Sequence, residues 1–456
     1  MKVSQEIKQE ANQYVDEVFQ KLQVQNPNET EFLQAVEEFL PAAKLFFAKN
    51  PHLLEKNIFG QLVEPERLIS FRVPWVDDQQ QVQVNRGYRV QFNSALGPYK
   101  GGLRFHPTVN ASVLKFLAFE QIFKNSLTQL MIGGGKGGAD FDPKGKSDGE
   151  IMRFCQSFML ELQRHIGENF DVPAGDIGVG AREIGYLFGM YKKLNGMDFG
   201  VLTGKPLLYG GSPGRTEATG YGLVYFVENL LKDLHEDFSQ HTVHVSGSGN
   251  VAIYAIEKAL ALGAKVLTCS DSDGVIYDPA GIDVTLLKEI KEIKRQRLTA
   301  YQKNRPDAQY FSKKSVWDLP FDFTIALPCA TQNEISLSQA QNMVDHGLKI
   351  IVEGANMPTA ISAVAFFAQE NIYYCPGKAA NAGGVAVSAL EMAQDSQRMI
   401  WNIEKVDQEL SAIMKNIYQT CRDTANAYDC PNNFLMGSNL ASLEKVAFAM
   451  DSQGIV

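Results

Sequence analysis

Hydrophobic positions follow two different periods in the first half of the chain. Helical spacing from Val3 to Leu22 and from Phe32 to Leu40 predicts two amphipathic helices in the first fifty residues. Apolar and polar residues then alternate over residues 69–75 and 82–92, which predicts two strands of one mixed sheet. The helical spacing returns in two further segments, residues 111–130 and 149–166.

From about residue 240, short apolar strands alternate with helical segments. The strands are predicted at residues 242–247, 264–270, 322–328 and 349–354. Repeated strand–helix units of this kind form a parallel, doubly wound sheet. The last fifty residues are predicted to be helical, beginning with a long amphipathic run from Lys405 to about Tyr428. The pattern therefore predicts an α/β protein of two domains, with the glycine-rich segment 204–216 near their boundary.

Composition narrows the functional classes. The chain has 456 residues, of which 45% are hydrophobic, and its formal net charge is −9. Nucleic-acid-binding proteins usually carry a basic stripe, and the sequence shows none, so no nucleic-acid partner is expected. We find neither an apolar leader nor an apolar run long enough to span a membrane, and the six cysteines are scattered. These features favour a cytoplasmic protein without a membrane partner, and no histidine or cysteine spacing fits a metal site.

The segment VSGSGNVA carries a dinucleotide-binding fingerprint. Gly247, Gly249 and Ala252 form G-x-G-x-x-A directly after a predicted strand and at the start of a predicted helix. The first glycine allows a tight turn, the second allows the backbone to approach a pyrophosphate, and the alanine permits close helix–strand packing. The helix N-terminus then directs its positive end toward the phosphates. The segment therefore predicts a Rossmann-like dinucleotide-binding domain.

The residues after the second strand leave the choice of dinucleotide open. Asp271 lies 24 residues after Gly247, where an acid would hold a ribose 2′-hydroxyl and favour NAD. Ser272 follows it, and the next helical segment carries Lys294, Arg295 and Arg297. A 2′-phosphate is bound by hydroxyls and cations, so these residues favour NADP, although a basic helix face is also a common solvent-exposed feature.

Three lysines and one aspartate lie in unusual surroundings. They are Lys100 in GPYKGGLRFHP, Lys124 in EQIFKNSLT, Lys136 in GGGKGGADFDPKG and Asp176 in DVPAGDIGVG. Two lysines would neutralise the carboxylates of a dicarboxylic amino or keto acid, and like charge with partial burial would lower the pKa of a third. That amine could act as a base or, when protonated, polarise a carbonyl, while Asp176 transfers a proton. Taken singly, each lysine also fits an ordinary surface position.

With these motifs the sequence resembles the hexameric glutamate dehydrogenases of the bacterial, NADP-linked type. The resemblance runs from about residue 50 to the C-terminus through PYKGGLRFHP, GGGKGGADFDPKGKS, PAGDIGVGAREIGY, EATGYG, GSGNVA, PCATQNE, EGANMP and GKAANAGGVAVSALEMAQ. It implies reversible oxidative deamination of L-glutamate to 2-oxoglutarate and ammonium, with NADP as cofactor and NAD not excluded. It also implies a homohexamer.

The resemblance further implies a role for each matched residue. Lys136 is catalytic and Asp176 transfers a proton, whereas Lys124 binds the α-carboxylate. The side-chain carboxylate is bound by Lys100, Thr203 and Ser388. Together with the fingerprint, the resemblance gives these cofactor-binding residues: Thr219, Gly247, Gly249, Asn250, Val251, Asp271, Ser272, Lys294, Asn356 and Asn381. The expected domains are 1–203 plus 426–456 for substrate binding and oligomerisation, and 204–425 for the dinucleotide.

Two alternative functions remain open. A dehydrogenase for branched or aromatic amino acids would need an apolar pocket where the distal carboxylate lies, and Lys100 and Ser388 argue against it. A nucleotide-sensing protein without catalytic activity would have no need for Lys136 or Asp176, and both are present.

Overall fold

The computed structural model describes residues 4–455, so residues 1–3 and 456, including Val3 of the first predicted helix, lie outside the described residues. The chain divides into two compact units. Unit 1 contains the described residues up to Pro213, together with Val387–Val406 and the residues from Asn439 onward. Unit 2 contains Gly214–Ala386 and Asp407–Ser438.

Unit 1 contains a five-stranded mixed sheet and six helices that precede or follow its strands. The helices are α1 (Gln5–Gln25), α2 (Thr30–Lys49), α3 (Ile58–Leu62), α4 (Ala111–Leu127), α5 (Asp148–Leu162) and α6 (Ala181–Asn195). The strands are β1 (Arg67–Val76), β2 (Val82–Asn93), β3 (Tyr99–Phe105), β4 (Gly134–Ala139) and β5 (Asp171–Gly175). Their order is β1-β2-β4-β3-β5, in which β3 runs parallel to both of its neighbours. The predicted helices, strands and mixed sheet of this half are confirmed.

Aromatic side chains form the core between the sheet of unit 1 and α5. Phe141 stacks on Phe154 with ring centroids 3.8 Å apart, and Trp75 and Phe105 contact them edge-on. Burying each such ring contributes about 1.5–3 kcal/mol, so this layer holds β3 and β4 against the helix. The helix itself begins in a capping box, in which Ser147 and Glu150 satisfy each other's backbone N–H groups.

Unit 2 contains a parallel five-stranded sheet with the order β13-β12-β11-β6-β7, as predicted for a Rossmann-like domain. Its strands are β6 (Thr242–Val245), β7 (Lys265–Val266), β11 (Ile325–Leu327), β12 (Ile350–Val352) and β13 (Tyr373–Cys375). A separate antiparallel sheet contains β8 (Thr268–Asp271), β9 (Gly274–Tyr277) and β10 (Gln309–Ser312). The helices are α7 (Ala218–Asp233), α8 (Asn250–Ala261), α9 (Val284–Lys288), α10 (Thr299–Asn304), α11 (Leu337–Asp345), α12 (Ile361–Gln369) and α13 (Gly377–Ala380).

The single strand predicted at residues 264–270 is wrong, because the structure has two strands there. The hydroxyl of Thr268 accepts from the backbone N–H of Val245 at 2.9 Å and donates to its carbonyl at 3.1 Å. These side-chain bonds replace the backbone ladder that would continue the parallel pairing. The backbone from Thr268 onward pairs with β9 instead.

Three final helices have residues in both units: α14 (Gly383–Gln397), α15 (Ile403–Ala427) and α16 (Phe434–Gln453). The two units therefore differ in extent from the predicted domain ranges. Residues 387–406 are part of unit 1 because side chains of α14 bond to the segment around Thr203. The first unit boundary, after Pro213, falls within the glycine-rich segment 204–216.

Candidate active site

The strand register of unit 1 brings four charged side chains to one face of its sheet. When each register is continued by one residue, the pairing of β3 with β4 places Gly102 opposite Lys136, and the pairing of β3 with β5 places Arg104 opposite Asp176. Side chains two residues apart on a strand share a face. Lys100, Arg104, Lys136 and Asp176 therefore project from the same face. Gly102, at their centre, contributes no side chain.

The glycines around the two lysines are required by close contacts between strands. A Cβ atom at Gly101 would lie 1.8 Å from the carbonyl oxygen of Gly135, and one at Gly102 would lie 2.8 Å from the Cβ of Asp176. Lys100 and Lys136 themselves lie in strands β3 and β4. The glycine-dense pattern therefore reflects strands that approach too closely for a Cβ atom beside the charged groups.

Lys136, Asp176 and Arg104 form one ion-pair cluster. The Nζ of Lys136 and the Nε of Arg104 each lie 3.1 Å from Oδ2 of Asp176, and the side chain of Lys136 is only 9% exposed. Burial lowers the pKa of Lys136, Asp176 opposes this effect, and the positive charge of Arg104 adds to it. Burial acts to raise the pKa of Asp176, but Lys136 and Arg104 hold it below its ordinary value. The cluster therefore combines an ionised carboxylate with a weakened ammonium acid.

A second group of unit 1 joins three of the predicted substrate-binding residues. The buried Nζ of Lys100 donates to Oγ1 of Thr203 at 2.7 Å, and Thr203 shares a 2.5 Å hydrogen bond with Oγ of Ser388. Lys124 lies half-buried in the last turn of α4. The next residue, Asn125, donates to the carbonyl of Lys100 at 3.0 Å, which fixes that turn beside β3. Sequence reasoning missed Asn125, since an asparagine on a helical segment carries no distinct signal.

In unit 2 the glycine fingerprint lies between β6 and α8, as predicted. Gly247 has φ +89°, a left-handed conformation that favours glycine, and its N–H donates to Oγ of Ser270 at 2.7 Å. A Cβ atom built at Gly249 meets open space, and no side chain caps the N-terminus of α8 at this residue. The uncapped helix N–H groups and the free space above Gly249 fit a pyrophosphate. The exposed Asn250 and half-buried Val251 form the first turn of α8.

Two of the predicted cofactor-binding asparagines contact each other. Asn381 follows α13, and its Nδ2 donates to Oδ1 of Asn356 at 3.0 Å and to the carbonyl of Gly354 at 3.1 Å. Thr219 lies in the first turn of α7, where a Cβ at Gly384 would come within 2.6 Å of its hydroxyl. The bonds of Asn381 to Gly354 and Asn356 hold the asparagine pair just beyond the carboxyl end of β12. Parallel sheets bind ligands at this edge.

The structure favours a 2′-phosphate over a 2′-hydroxyl beside β8. The Asp271 carboxylate is occupied by its own chain, because it accepts from the N–H groups of Asp273 and Leu298, each at 3.0 Å. The Oγ of Ser272 accepts from Arg297 at 2.7 Å. Lys294 instead pairs with Glu289 at 2.6 Å, and Lys291 is the lysine nearer to Asp271, at 3.7 Å. Arg297 also pairs with Asp273 at 3.2 Å, but it is the cation that contacts Ser272.

Over residues 4–455, no group of three or more histidine, cysteine, aspartate and glutamate side chains could hold a metal ion. Among the helices described here, none is long and apolar enough to cross a membrane.

Comparison with known proteins identifies the family. The model for Glutamate/Leucine/Phenylalanine/Valine dehydrogenase matches residues 210–454, and that for the dimerisation domain of Glu/Leu/Phe/Val dehydrogenases matches residues 65–193. The chain is 54% identical over 449 residues to an NADP-specific glutamate dehydrogenase of Helicobacter pylori, covering 97% of this chain and 100% of that protein. It is 53% identical to an NAD(P)-specific glutamate dehydrogenase of Xylanibacter ruminicola, covering 96% of this chain and 99% of that one.

A solved structure gives the same result. The crystal structure of Plasmodium falciparum glutamate dehydrogenase superimposes with a TM-score of 0.95 at 51% identity, covering 98% of this chain and 96% of that chain. The resemblance inferred from the motifs is confirmed, and so is the two-domain α/β fold. The chain belongs to the Glu/Leu/Phe/Val dehydrogenase family.

Proposed function

We propose that the chain is a glutamate dehydrogenase that interconverts L-glutamate and 2-oxoglutarate with ammonium, using NADP. The observation that carries the proposal is the shared sheet face of unit 1, on which Lys136 and Asp176 lie 3.1 Å apart and Lys100 projects beside them. Unit 1 is then the substrate-binding unit, and unit 2 holds the dinucleotide.

Recognition of a dicarboxylate follows from the placement of the lysines. Lys100 is only 1% exposed, and a buried ammonium is costly unless charged or polar groups surround it. A distal carboxylate would complete its coordination together with the hydroxyls of Thr203 and Ser388. Lys124 would bind the α-carboxylate from the end of α4. An apolar substrate side chain would instead leave Lys100 facing hydrocarbon, which argues against leucine or phenylalanine.

The Lys136–Asp176 pair supplies the proton transfers. NADP, when bound, would supply the hydride acceptor for oxidation at the α-carbon of glutamate, and NADPH the hydride donor for the reverse reaction. Neutral Lys136 would accept a proton from the water that attacks the resulting iminium carbon, and the lowered pKa makes the neutral form accessible. Asp176 would carry a proton between that lysine and the substrate nitrogen, which leaves as ammonia. In the reverse direction, protonated Lys136 polarises the 2-oxo group.

The residues of unit 2 fit NADP. The N-terminus of α8 and the open position at Gly249 suit the pyrophosphate, while Ser272 and Arg297 suit a 2′-phosphate. Asn356 and Asn381 would hold the nicotinamide end. NAD use is not excluded, because one of the matched relatives is named NAD(P)-specific.

Substrate choice provides the test of this proposal. Purified protein is mixed with ammonium and NADPH, and absorbance is followed with 2-oxoglutarate, 4-methyl-2-oxopentanoate or phenylpyruvate. We expect a kcat/KM for 2-oxoglutarate at least about 100-fold above the other two, because only it fills the polar end of the pocket. Preferential turnover of an apolar 2-oxo acid would favour the rival dehydrogenase, and NADPH binding with no turnover would favour a sensor.

Assembly and location complete the proposal. The matched dimerisation domain supports an oligomer, for which we propose a homohexamer. The exposed Leu68 on the edge strand β1 and the exposed Val82 and Val84 on the adjacent β2 also support it. Its mass by light scattering would be about 300 kDa, six times the 50.5 kDa chain. A cytoplasmic location agrees with six free cysteines, five of which are buried.

A further inference from the structure

A buried cluster of three charged side chains lies next to the Thr203–Ser388 pair. One of them follows Thr203 in the chain, and the other two follow Ser388 in α14. The Nζ of Lys205 lies 3.0 Å from Oε1 of Glu391 and 2.8 Å from Oδ2 of Asp395. The exposed fractions of these side chains are 0%, 0% and 3%. We call these three residues the loop clamp. The proton transfers and carboxylate contacts proposed above do not use it.

The loop clamp also holds the backbone on both sides of Thr203. The N–H groups of Gly204 and Lys205 donate to the Glu391 carboxylate at 2.9 and 3.2 Å. The Lys205 ammonium returns along the chain and donates to the carbonyl of Leu202. The segment Leu202–Lys205 is thus bound to α14 by backbone and side-chain groups at once.

Helical spacing places the loop clamp and the pocket on one surface of α14. Ser388, Glu391 and Asp395 follow the i, i+3, i+7 pattern, so they lie along a single face of the helix. That face presents the Ser388 hydroxyl to Thr203 and, one turn later, the Glu391 carboxylate to the next two peptide groups. Movement of the segment relative to α14 would therefore disturb the Thr203–Ser388 bond directly.

We propose that Lys205, Glu391 and Asp395 are positioning residues that set the affinity for the distal carboxylate of the substrate. This inference rests on the proposed function. They act through Thr203 and Ser388, whose hydroxyls must be aimed at the same carboxylate as Lys100. Hydroxyl hydrogen bonds are short and directional, so a displacement of about 1 Å is enough to lose one. Polar contacts at the far end of the substrate thus depend on an ion cluster that does not touch it.

Amide substitutions test the loop clamp with little change of shape. Glu391→Gln loses one acceptor oxygen and cannot receive the N–H groups of both Gly204 and Lys205, and Asp395→Asn weakens the bond to Lys205. Each variant is assayed at pH 8 with 2-oxoglutarate and with 2-oxopentanoate, which has the same chain length but no distal carboxylate. At this pH Asp395 is largely ionised, because burial raises its pKa only to about 7.

We expect the KM for 2-oxoglutarate to rise about tenfold or more in each variant, while kcat changes less than about threefold. The kcat/KM for 2-oxopentanoate should stay within about twofold, because that substrate does not use the polar end of the pocket. Equal losses for both substrates, or no change for either, would overturn the proposal. So would loss of the folded state in both variants, since the cluster would then serve stability alone.

Glu150→Gln is the matched control. Glu150 is a buried carboxylate of the same unit, but it caps α5 by accepting from Ser147 at 2.9 Å. It should leave the KM for both substrates unchanged. Failure of the proposed function would be visible in the wild-type protein alone, as absence of 2-oxoglutarate turnover. Failure of this inference would appear in variants of an active enzyme, either as an unchanged preference between the two substrates or as loss of the folded state in both variants.

Discussion

Asp176 is shared between two cations, and this sharing determines how Lys136 titrates. One carboxylate oxygen accepts from both Lys136 and Arg104, while burial removes the water that would otherwise stabilise the ammonium. Because the carboxylate raises the pKa of Lys136 and Arg104 lowers it, the two neighbours act in opposite directions on the same group.

Removing this carboxylate should change the pH profile as well as the rate. In glutamate oxidation we expect the rate to rise with pH as Lys136 loses its proton. In Asp176→Asn the ammonium loses its stabilising charge, so this rise should move to lower pH. The kcat should fall by about 10²–10⁴, because an amide cannot carry the proton. The profile of kcat against pH for wild type and variant measures both effects.

Asp140→Asn is the control for that experiment. Asp140 directly follows β4, and its carboxylate accepts from the side chain of Asn85 and the backbone N–H of Arg86, each at 2.9 Å. The substitution therefore removes one nearby negative charge that does not belong to the Lys136–Asp176–Arg104 cluster. Its profile should match wild type. An unshifted profile in Asp176→Asn would contradict the coupling between Asp176 and Lys136.

Cofactor selection is expected to depend on Arg297 more than on Lys294. Arg297→Ala should raise the KM for NADPH by about tenfold or more, since a charge-assisted bond to a phosphate is worth about 1.5–3 kcal/mol. The KM for NADH should change less than about threefold. Lys294→Ala, which removes a lysine paired with Glu289, should leave both constants near wild type. Steady-state kinetics with the two dinucleotides decides between the two cations.

Local backbone geometry explains why the sequence indicated a basic segment near the cofactor but did not show that Arg297 is the residue that contacts Ser272. Glu289–Ile293 forms a π-helix, and Arg295 adopts φ +50°. Regular helical spacing therefore does not describe which side chains turn toward Ser272. Lys100, Lys136 and Asp176 were predictable for the opposite reason, since glycines in their motifs mark positions where no side chain fits. Arg104, the second cation on Asp176, was not singled out from the sequence.

At the scale of elements, a buried carboxyl joins β12 to α13. Glu353 directly follows β12 and is 2% exposed. It accepts from the N–H of Gly377 at 2.8 Å and from the hydroxyl of Tyr374 at 2.9 Å. Burial raises the pKa of Glu353 to about 7, above its ordinary value of 4.5. The junction next to Asn356 and Asn381 is therefore sensitive to pH.

This carboxyl should make unit 2 less stable as pH rises. A raised folded-state pKa means that the stabilising contribution is full below pH 4.5 and is lost as the pH increases through about 7. The change is on the order of 3 kcal/mol, at 1.36 kcal/mol for each pH unit. The melting temperature of wild type minus that of Glu353→Gln should therefore be larger at pH 5 than at pH 8. An equal difference between the two proteins at both pH values would contradict the assignment.

The elements themselves were largely readable from the sequence. Period-two and helical patterns located β1 and the long terminal helices because each has one buried face. The same alternation located β2, although its residues 87–93 are buried on both faces. The break between β7 and β8 was not readable. It depends on Thr268 bonding across to Val245, a tertiary contact that leaves no mark in local periodicity.

At the scale of the whole molecule, the family resemblance led us to expect that a C-terminal segment, residues 426–456, returns to the first domain, but residues 387–406 were not expected there. Unit 1 includes Val387–Val406 and the residues from Asn439 onward, which follow the parallel sheet in the chain. These returns are decided by tertiary contacts such as Lys205 with Glu391 and Ser126 with Ser442. A pattern read along the chain can mark the glycine-rich boundary, but it cannot show where a later helix packs.

Lys136 is the group on which the proposed reaction depends most, because it accepts and donates the proton in unit 1. The most direct measurement compares ammonium-dependent NADPH oxidation by 2-oxoglutarate in wild type and Lys136→Ala, with 2-oxoglutarate binding measured by calorimetry. The exposed Lys144→Ala is the matched control. We predict a kcat lowered by about 10²–10⁴ with binding within a few-fold of wild type. A folded Lys136→Ala protein that turned over at the wild-type rate would contradict the account.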